Sequence, residues 1–139
     1  MCDFYDLVNI IEEAFQNAVF IVVMQNDDTD FYKDINHNYA VICFKKAETS
    51  KRIRRDVSSY WLVRTYTVAV RCYGWRNRYN GSTLLYNKIT DAVKRLSEAV
   101  ELCSVDIGDL SFDSPTERLR CDVLLTVKGY QRYDIEEDD

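Results

Sequence analysis

The chain has 139 residues, of which 47% are hydrophobic and 29% are charged, with only four Gly and one Pro. This length and composition fit one globular domain with its own core and exclude a disordered chain. The formal net charge is −5, but five of the 23 acidic residues lie within 134–139, which leaves 18 acidic against 18 basic residues in the body. A globally basic nucleic-acid-binding domain is therefore not supported.

Cysteine usage and the N-terminal sequence indicate the compartment. The five Cys lack CxxC spacing, which predicts free thiols in an intracellular protein. The first twenty residues contain four acidic side chains, which argues against a signal peptide. The longest apolar run, 18–24, is too short to cross a bilayer. The sequence thus predicts a soluble protein with no membrane partner.

The first part of the chain predicts one helix and two strands. Residues 3–16 place apolar side chains at helical spacing, and Asp3 is a candidate N-cap. Residues 20–24 predict a strand that is apolar on both faces and therefore central in its sheet. A polar, acidic loop over 25–37 precedes a second predicted strand at 38–45.

A basic stretch follows the second strand. Residues 46–58 show no hydrophobic period and predict an exposed loop or hairpin tip. The positive charge lies over residues 45–55, where Glu48 is the only acid against six cations. These are Lys45, Lys46, Lys51, Arg52, Arg54 and Arg55. They suit either phosphates or the acidic surface of a neighbouring subunit, and we expect this loop to be mobile alone and to order on assembly.

The strongest strand prediction covers 59–73, which is long and rich in Val, Thr and Tyr, with no breaker before Gly74. A turn over 75–81 then leads into a helix at 82–99, whose apolar residues form one stripe.

The remaining residues predict strands and a tail. A short strand is predicted at 104–107, and alternating residues predict a strand at 119–129. The predicted order is α-β-β-β-α-(β)-β, an α+β domain over 1–133 with one mainly antiparallel sheet and two packed helices. An acidic, disordered tail is predicted at 134–139.

No pattern in the sequence indicates a catalytic, cofactor or metal site. The lone His37 is predicted to be a solvent-exposed loop residue. Metal-binding thiolates are closely spaced, whereas the nearest two cysteines are Cys103 and Cys121. The acids of the 27–34 loop lack the glycine and terminal glutamate of a calcium loop. Residues 71–79 interleave aromatics with arginines, as single-stranded nucleic-acid binders do, but also suit a strand end and turn.

Two segments resemble a known family. The stretch Tyr66-Thr-Val-Ala-Val-Arg-Cys-Tyr-Gly74, followed by a turn and an amphipathic helix, resembles the core of the tail terminator proteins of long-tailed bacteriophages, with their related neck and tail-completion proteins. Residues 110–127 are similar to the closing strand of that family. The resemblance covers most of the chain as a pattern of elements.

The resemblance implies a structural virion protein rather than an enzyme, with no cofactor. It implies a ring, usually a hexamer, that caps the tail tube, with the tail-tube protein and the head-connector protein as partners. The site would be the host bacterial cytoplasm during assembly and then the virion tail or neck. Under this reading the six cations form the assembly interface. The alternative is a small nucleic-acid-binding or regulatory module that uses segments 45–55 and 71–79.

Overall fold

The computed structural model describes residues 4–24, 37–54, 59–74, 81–113 and 118–134. They form two helices and six strands in the order α-β-β-β-α-β-β-β. The elements are α1 (Phe4–Asn17), β1 (Phe20–Met24), β2 (Asn38–Arg54), β3 (Ser59–Tyr73), α2 (Gly81–Ala99), β4 (Glu101–Ile107), β5 (Ser111–Asp113) and β6 (Arg118–Asp134).

All six strands belong to one sheet. The order is β1-β2-β3-β6-β4, and the short β5 pairs with β6 beyond the end of β4. Every pairing is antiparallel except that of β1 with β2, which is parallel. The predicted α+β class, with a mainly antiparallel sheet and two helices packed on it, is confirmed.

Both helices cover the same face of the sheet. Alternate residues of the two long central strands, such as Val70 and Val123, are fully buried and share one core with both helices. Leu7, Ile11 and Phe15 enter this core from α1. The α2 stripe also enters it, with Leu85, Ile89, Ala92 and Leu96. Among the described elements, period-2 strands therefore pack against period-3.6 helices in two layers, with both helices on the same face of the sheet.

The position predicted for the first strand is wrong. β1 lies at an edge of the sheet rather than in its centre. It is apolar on both sides because Phe20 packs under the helices while Val23 joins a small buried cluster on the other face. Val19, which links α1 to β1, has φ 69°, a left-handed conformation that is strained for a β-branched residue.

The prediction of a loop after the second strand is also wrong over most of the segment. β2 continues through 46–54 and pairs with β3 as far as Arg54 opposite Tyr60. The polar residues hold strand geometry because a long partner, β3, supplies the pairing. Two register shifts, at Lys45 and Ser50, accommodate extra residues as β-bulges. Within the described range, this segment is thus paired inside one subunit without help from a neighbour; residues 55–58 lie outside that range.

The C-terminal strands differ from the prediction in their extents. β4 covers 101–107 rather than 104–107, and β6 continues to Asp134, the first residue of the predicted acidic tail. Residues 135–139 lie outside the described part of the chain. Neither described helix is long and apolar enough to cross a membrane.

We expect Leu96→Ala to lower the free energy of unfolding by roughly 2–5 kcal/mol, because removing a buried leucine side chain leaves a cavity. Leu96 is fully buried between α2 and the sheet. The matched control is Leu124→Ala, on the uncovered face at 42% exposure, which should lose less than about 1 kcal/mol. Chemical denaturation measures both; equal losses would contradict this placement of α2.

Candidate functional site

The face of the sheet opposite the helices carries a cluster of charged side chains, which includes Arg71, Arg120 and Asp122. Residues paired across the strands share a face, so the register brings Tyr39, Tyr73 and Arg120 into one row. The next row holds Val41, Arg71 and Asp122. We call this surface the open face because no described helix packs on it; its Tyr39, Val41 and Tyr73 are nevertheless buried, in a small cluster with Val23.

Arg118 anchors one end of the open face. It is only 1% exposed and begins β6. Its Nη1 donates hydrogen bonds to the carbonyl oxygens of His37, at 2.8 Å, and Gly74, at 3.0 Å. Its guanidinium carbon lies 5.1 Å from the ring centroid of Tyr39, within reach of a cation–π contact. One side chain thus fastens the start of β2, the end of β3 and the start of β6.

Arg120 and Asp122 form a bidentate ion pair next to Arg118. Arg120 Nε and Nη2 donate to the two carboxylate oxygens of Asp122 at 2.8 and 2.9 Å. Arg120 Nη1 also lies 3.6 Å from Asp113, and its guanidinium carbon is 5.9 Å from the Tyr73 ring centroid. The hydrogen bonds from Arg120 hold the pKa of Asp122 below its ordinary value, and the charges of Arg71 and Lys45 lower it further.

A shallow depression of about 400 Å³ lies beside this pair. Its walls carry three cations, two carboxylates and apolar atoms. The lining residues are Lys45, Ala69, Arg71, Asp106, Gly108, Arg120, Asp122, Val123 and Leu124. Mixed charges in an open, shallow site favour contact with another charged macromolecular surface over capture of a small apolar ligand.

The structure separates the six cations that the sequence predicted as an assembly interface. Lys45 lines the depression, and Lys46 is exposed and pairs with Glu48 at 2.8 Å. Lys51, Arg52 and Arg54 follow along the outer half of β2. Arg55 lies outside the described residues. The five described cations therefore lie along one strand rather than clustering in a loop.

Other predicted features take structural positions. His37 is exposed, as predicted, but its backbone carbonyl accepts from Arg118. Among the four described cysteines, all free, Cys43, Cys72 and Cys121 are buried and Cys103 is exposed. Cys72 and Cys121 lie opposite each other on β3 and β6, and burial raises the pKa of both thiols.

Two candidate binding segments fall partly or wholly outside the described residues. The acidic 27–34 loop lies outside them, and in the described ranges no three His, Cys, Asp or Glu side chains are grouped to hold a metal. Of the 71–79 segment, residues 75–79 lie outside. Tyr73 is 5% exposed beneath Arg120, so its ring offers no platform for stacking a base.

Comparison with known proteins leaves the family open. No protein-family model matches the chain, and no curated protein matches its sequence. Among solved structures, the type 4 fimbrial biogenesis protein PilO from Pseudomonas aeruginosa is similar at a TM-score of 0.40 and 12% identity, over 96% of this chain and 72% of that chain. Similarity at this level assigns neither a fold family nor a function.

We expect Arg118→Met to lower the free energy of unfolding by roughly 1–3 kcal/mol, the cost of leaving one buried acceptor without its donor. That acceptor is the Gly74 carbonyl, since the contact to the His37 carbonyl is only partly buried. Methionine keeps much of the side-chain volume, so the loss reports mainly on polar contacts. The control is Arg95→Met, which removes an exposed pair with Asp91 on α2 and should change stability by under about 0.5 kcal/mol. Equal effects in urea denaturation would show that Arg118 is not an anchor.

The Arg120–Asp122 pair predicts a specific dependence of stability on pH. A carboxyl group with a lowered pKa stabilises the folded state above its unfolded pKa of about 3.9, and this contribution is lost as the pH falls through the folded pKa. The free energy of unfolding of the wild type should therefore exceed that of Asp122→Asn by at most about 1 kcal/mol at pH 7, because the pair is partly exposed. The difference should shrink toward zero below pH 4 in unfolding curves. A difference independent of pH would contradict the pairing.

Proposed function

We propose that this protein is a structural subunit of a bacteriophage tail. It assembles into a ring, a hexamer, that caps the tail tube and joins it to the head connector. The proposal originates in the resemblance of segments 66–74 and 110–127 to tail terminators. The observed order, with two helices on one side of a mainly antiparallel sheet, is compatible with it.

The observation that carries the proposal is the long outer side of β2. β1 covers only 38–42 of this strand, and no other described strand pairs with the outer side of 43–54. An open strand edge presents backbone donors and acceptors to another chain. Five cations lie on this same length of strand, namely Lys45, Lys46, Lys51, Arg52 and Arg54. The function therefore resides in surfaces that bind protein.

Nucleic-acid binding is the second candidate, because the same five cations suit phosphates. It is weaker for two reasons. The body of the chain is neutral overall, and the described aromatic of the 71–79 segment, Tyr73, is buried. A module built on these cations alone would bind nucleic acid weakly and without sequence preference.

The proposed function is tested by mixing the purified protein with tail tubes of the same phage and examining them by electron microscopy. We expect a ring at one end of each tube and an arrest of tube elongation. Bovine serum albumin at the same concentration is the control for non-specific binding. Two results together would instead establish the second candidate. The tube ends would stay bare, and the protein would bind DNA or RNA with submicromolar, salt-sensitive affinity that the double variant Lys46→Ala with Arg52→Ala abolishes.

A further inference from the structure

The sheet has a second open edge at its far side. β4 is the terminal strand of the sheet beyond β6, and no strand within the described ranges pairs with its outer side. Its sequence and the turn after it, 101–109, contain three acids and no base. These are Glu101, Asp106 and Asp109. The two open edges of one sheet thus carry opposite charge.

Exposed apolar side chains also concentrate beside β4. Val105 is 36% exposed, Leu110 is 37% exposed and Phe112 on β5 is 63% exposed. These three large apolar groups lie within eight residues of one another along the chain, and a partner at this edge would bury them. An edge that offers both backbone groups and apolar side chains fits an incoming strand.

The strand directions allow the β2 edge of one copy and the β4 edge of another to pair in the antiparallel direction. β2 is antiparallel to β3, β3 to β6, and β6 to β4, so β2 and β4 run in opposite directions. Rotation about an axis along the strands preserves these directions in the next copy. The β4 edge of one copy then meets the β2 edge of the next as an antiparallel pair, which is the more stable arrangement.

Charge makes this pairing selective. Two β2 edges would bring cations against cations, and two β4 edges would bring carboxylates against carboxylates, so both self-pairings are disfavoured. Lysines and bulges on an edge strand also discourage indiscriminate sheet extension, and β2 has both. Only the unlike edges attract each other, which favours a head-to-tail contact that can close into a ring.

We infer that a second copy of this chain is the occupant of each open edge: part of β2 residues 43–54 of one copy pairs with the seven residues of β4 of the next, so that the sheet continues from subunit to subunit. This inference rests on the proposed function, since it names the interface of the proposed ring. This pairing brings Lys45 and Lys46 on β2 close to Asp106 on β4 and Asp109 after it; within one copy Lys46 pairs with Glu48, and Lys45 and Asp106 line the same depression.

Complementary charge reversal tests the interface. One variant carries Lys45→Glu with Lys46→Glu, and the other carries Asp106→Lys with Asp109→Lys. Each retains one native edge and one reversed edge, so each alone should fall to the 16.4 kDa monomer in light scattering coupled to size exclusion. Mixed in equal amounts, they should regain the wild-type mass, because each reversed edge then meets a reversed partner. The matched control, Lys88→Glu with Lys94→Glu on α2, should assemble as wild type does.

Each variant is used only if its unfolding curve matches that of wild type; otherwise the single reversals Lys46→Glu and Asp106→Lys replace the double ones. The inference is overturned if either variant assembles alone, if the mixture stays monomeric, or if wild type is itself monomeric at every concentration. The tube-capping experiment distinguishes a failure of this interface from a failure of the proposed function. A wild-type protein that caps tubes while the mixture fails would keep the proposed function and reject this interface.

Discussion

Pairing on both sides of β3 is the constraint on which the rest of the molecule depends. Residues 60–73 pair with β2, and the whole of 59–73 pairs with β6. Because neighbouring side chains alternate between faces, the fixed register of β3 decides which residues of both partners enter the helix-covered core. It also aligns Arg71 with Asp122 and Tyr73 with Arg120 on the open face. The register of β3 thus determines both the composition of the core and the arrangement of the charged surface.

Arg118 shows how the open face remains ordered without a helix layer. A buried guanidinium is costly unless it is hydrogen-bonded, and here two backbone carbonyls from distant segments accept from it. The neighbouring Arg120 is held by carboxylates instead. This face thus combines polar contacts with the small buried cluster of Val23, Tyr39, Val41 and Tyr73, whereas the other face is organised by the larger apolar core beneath the helices.

The sequence predicted the elements whose periodicity is local. Strand 59–73 and the α2 stripe were predicted because uninterrupted β-branched and aromatic residues, or apolar residues at helical spacing, are visible without knowing any partner. The outer half of β2 was missed because its polar residues become a strand only against β3. The edge position of β1 and the anchoring role of Arg118 were missed for a related reason. His37 and Arg118 are 81 positions apart, and no local pattern encodes such a contact.

The position of β6 has a consequence for synthesis on the ribosome. β6 is the last strand in the chain, yet it lies between β3 and β4 and contributes Cys121, Val123, Leu125 and Val127 to the core. A nascent chain that has reached only α2 or β4 lacks the strand that joins the two halves of the sheet. Because chains grow at about 5–20 residues per second, there is an interval in which β3 has one bare side. The sheet cannot be complete until β6 has emerged, so an incomplete chain would not present both edges in their native arrangement.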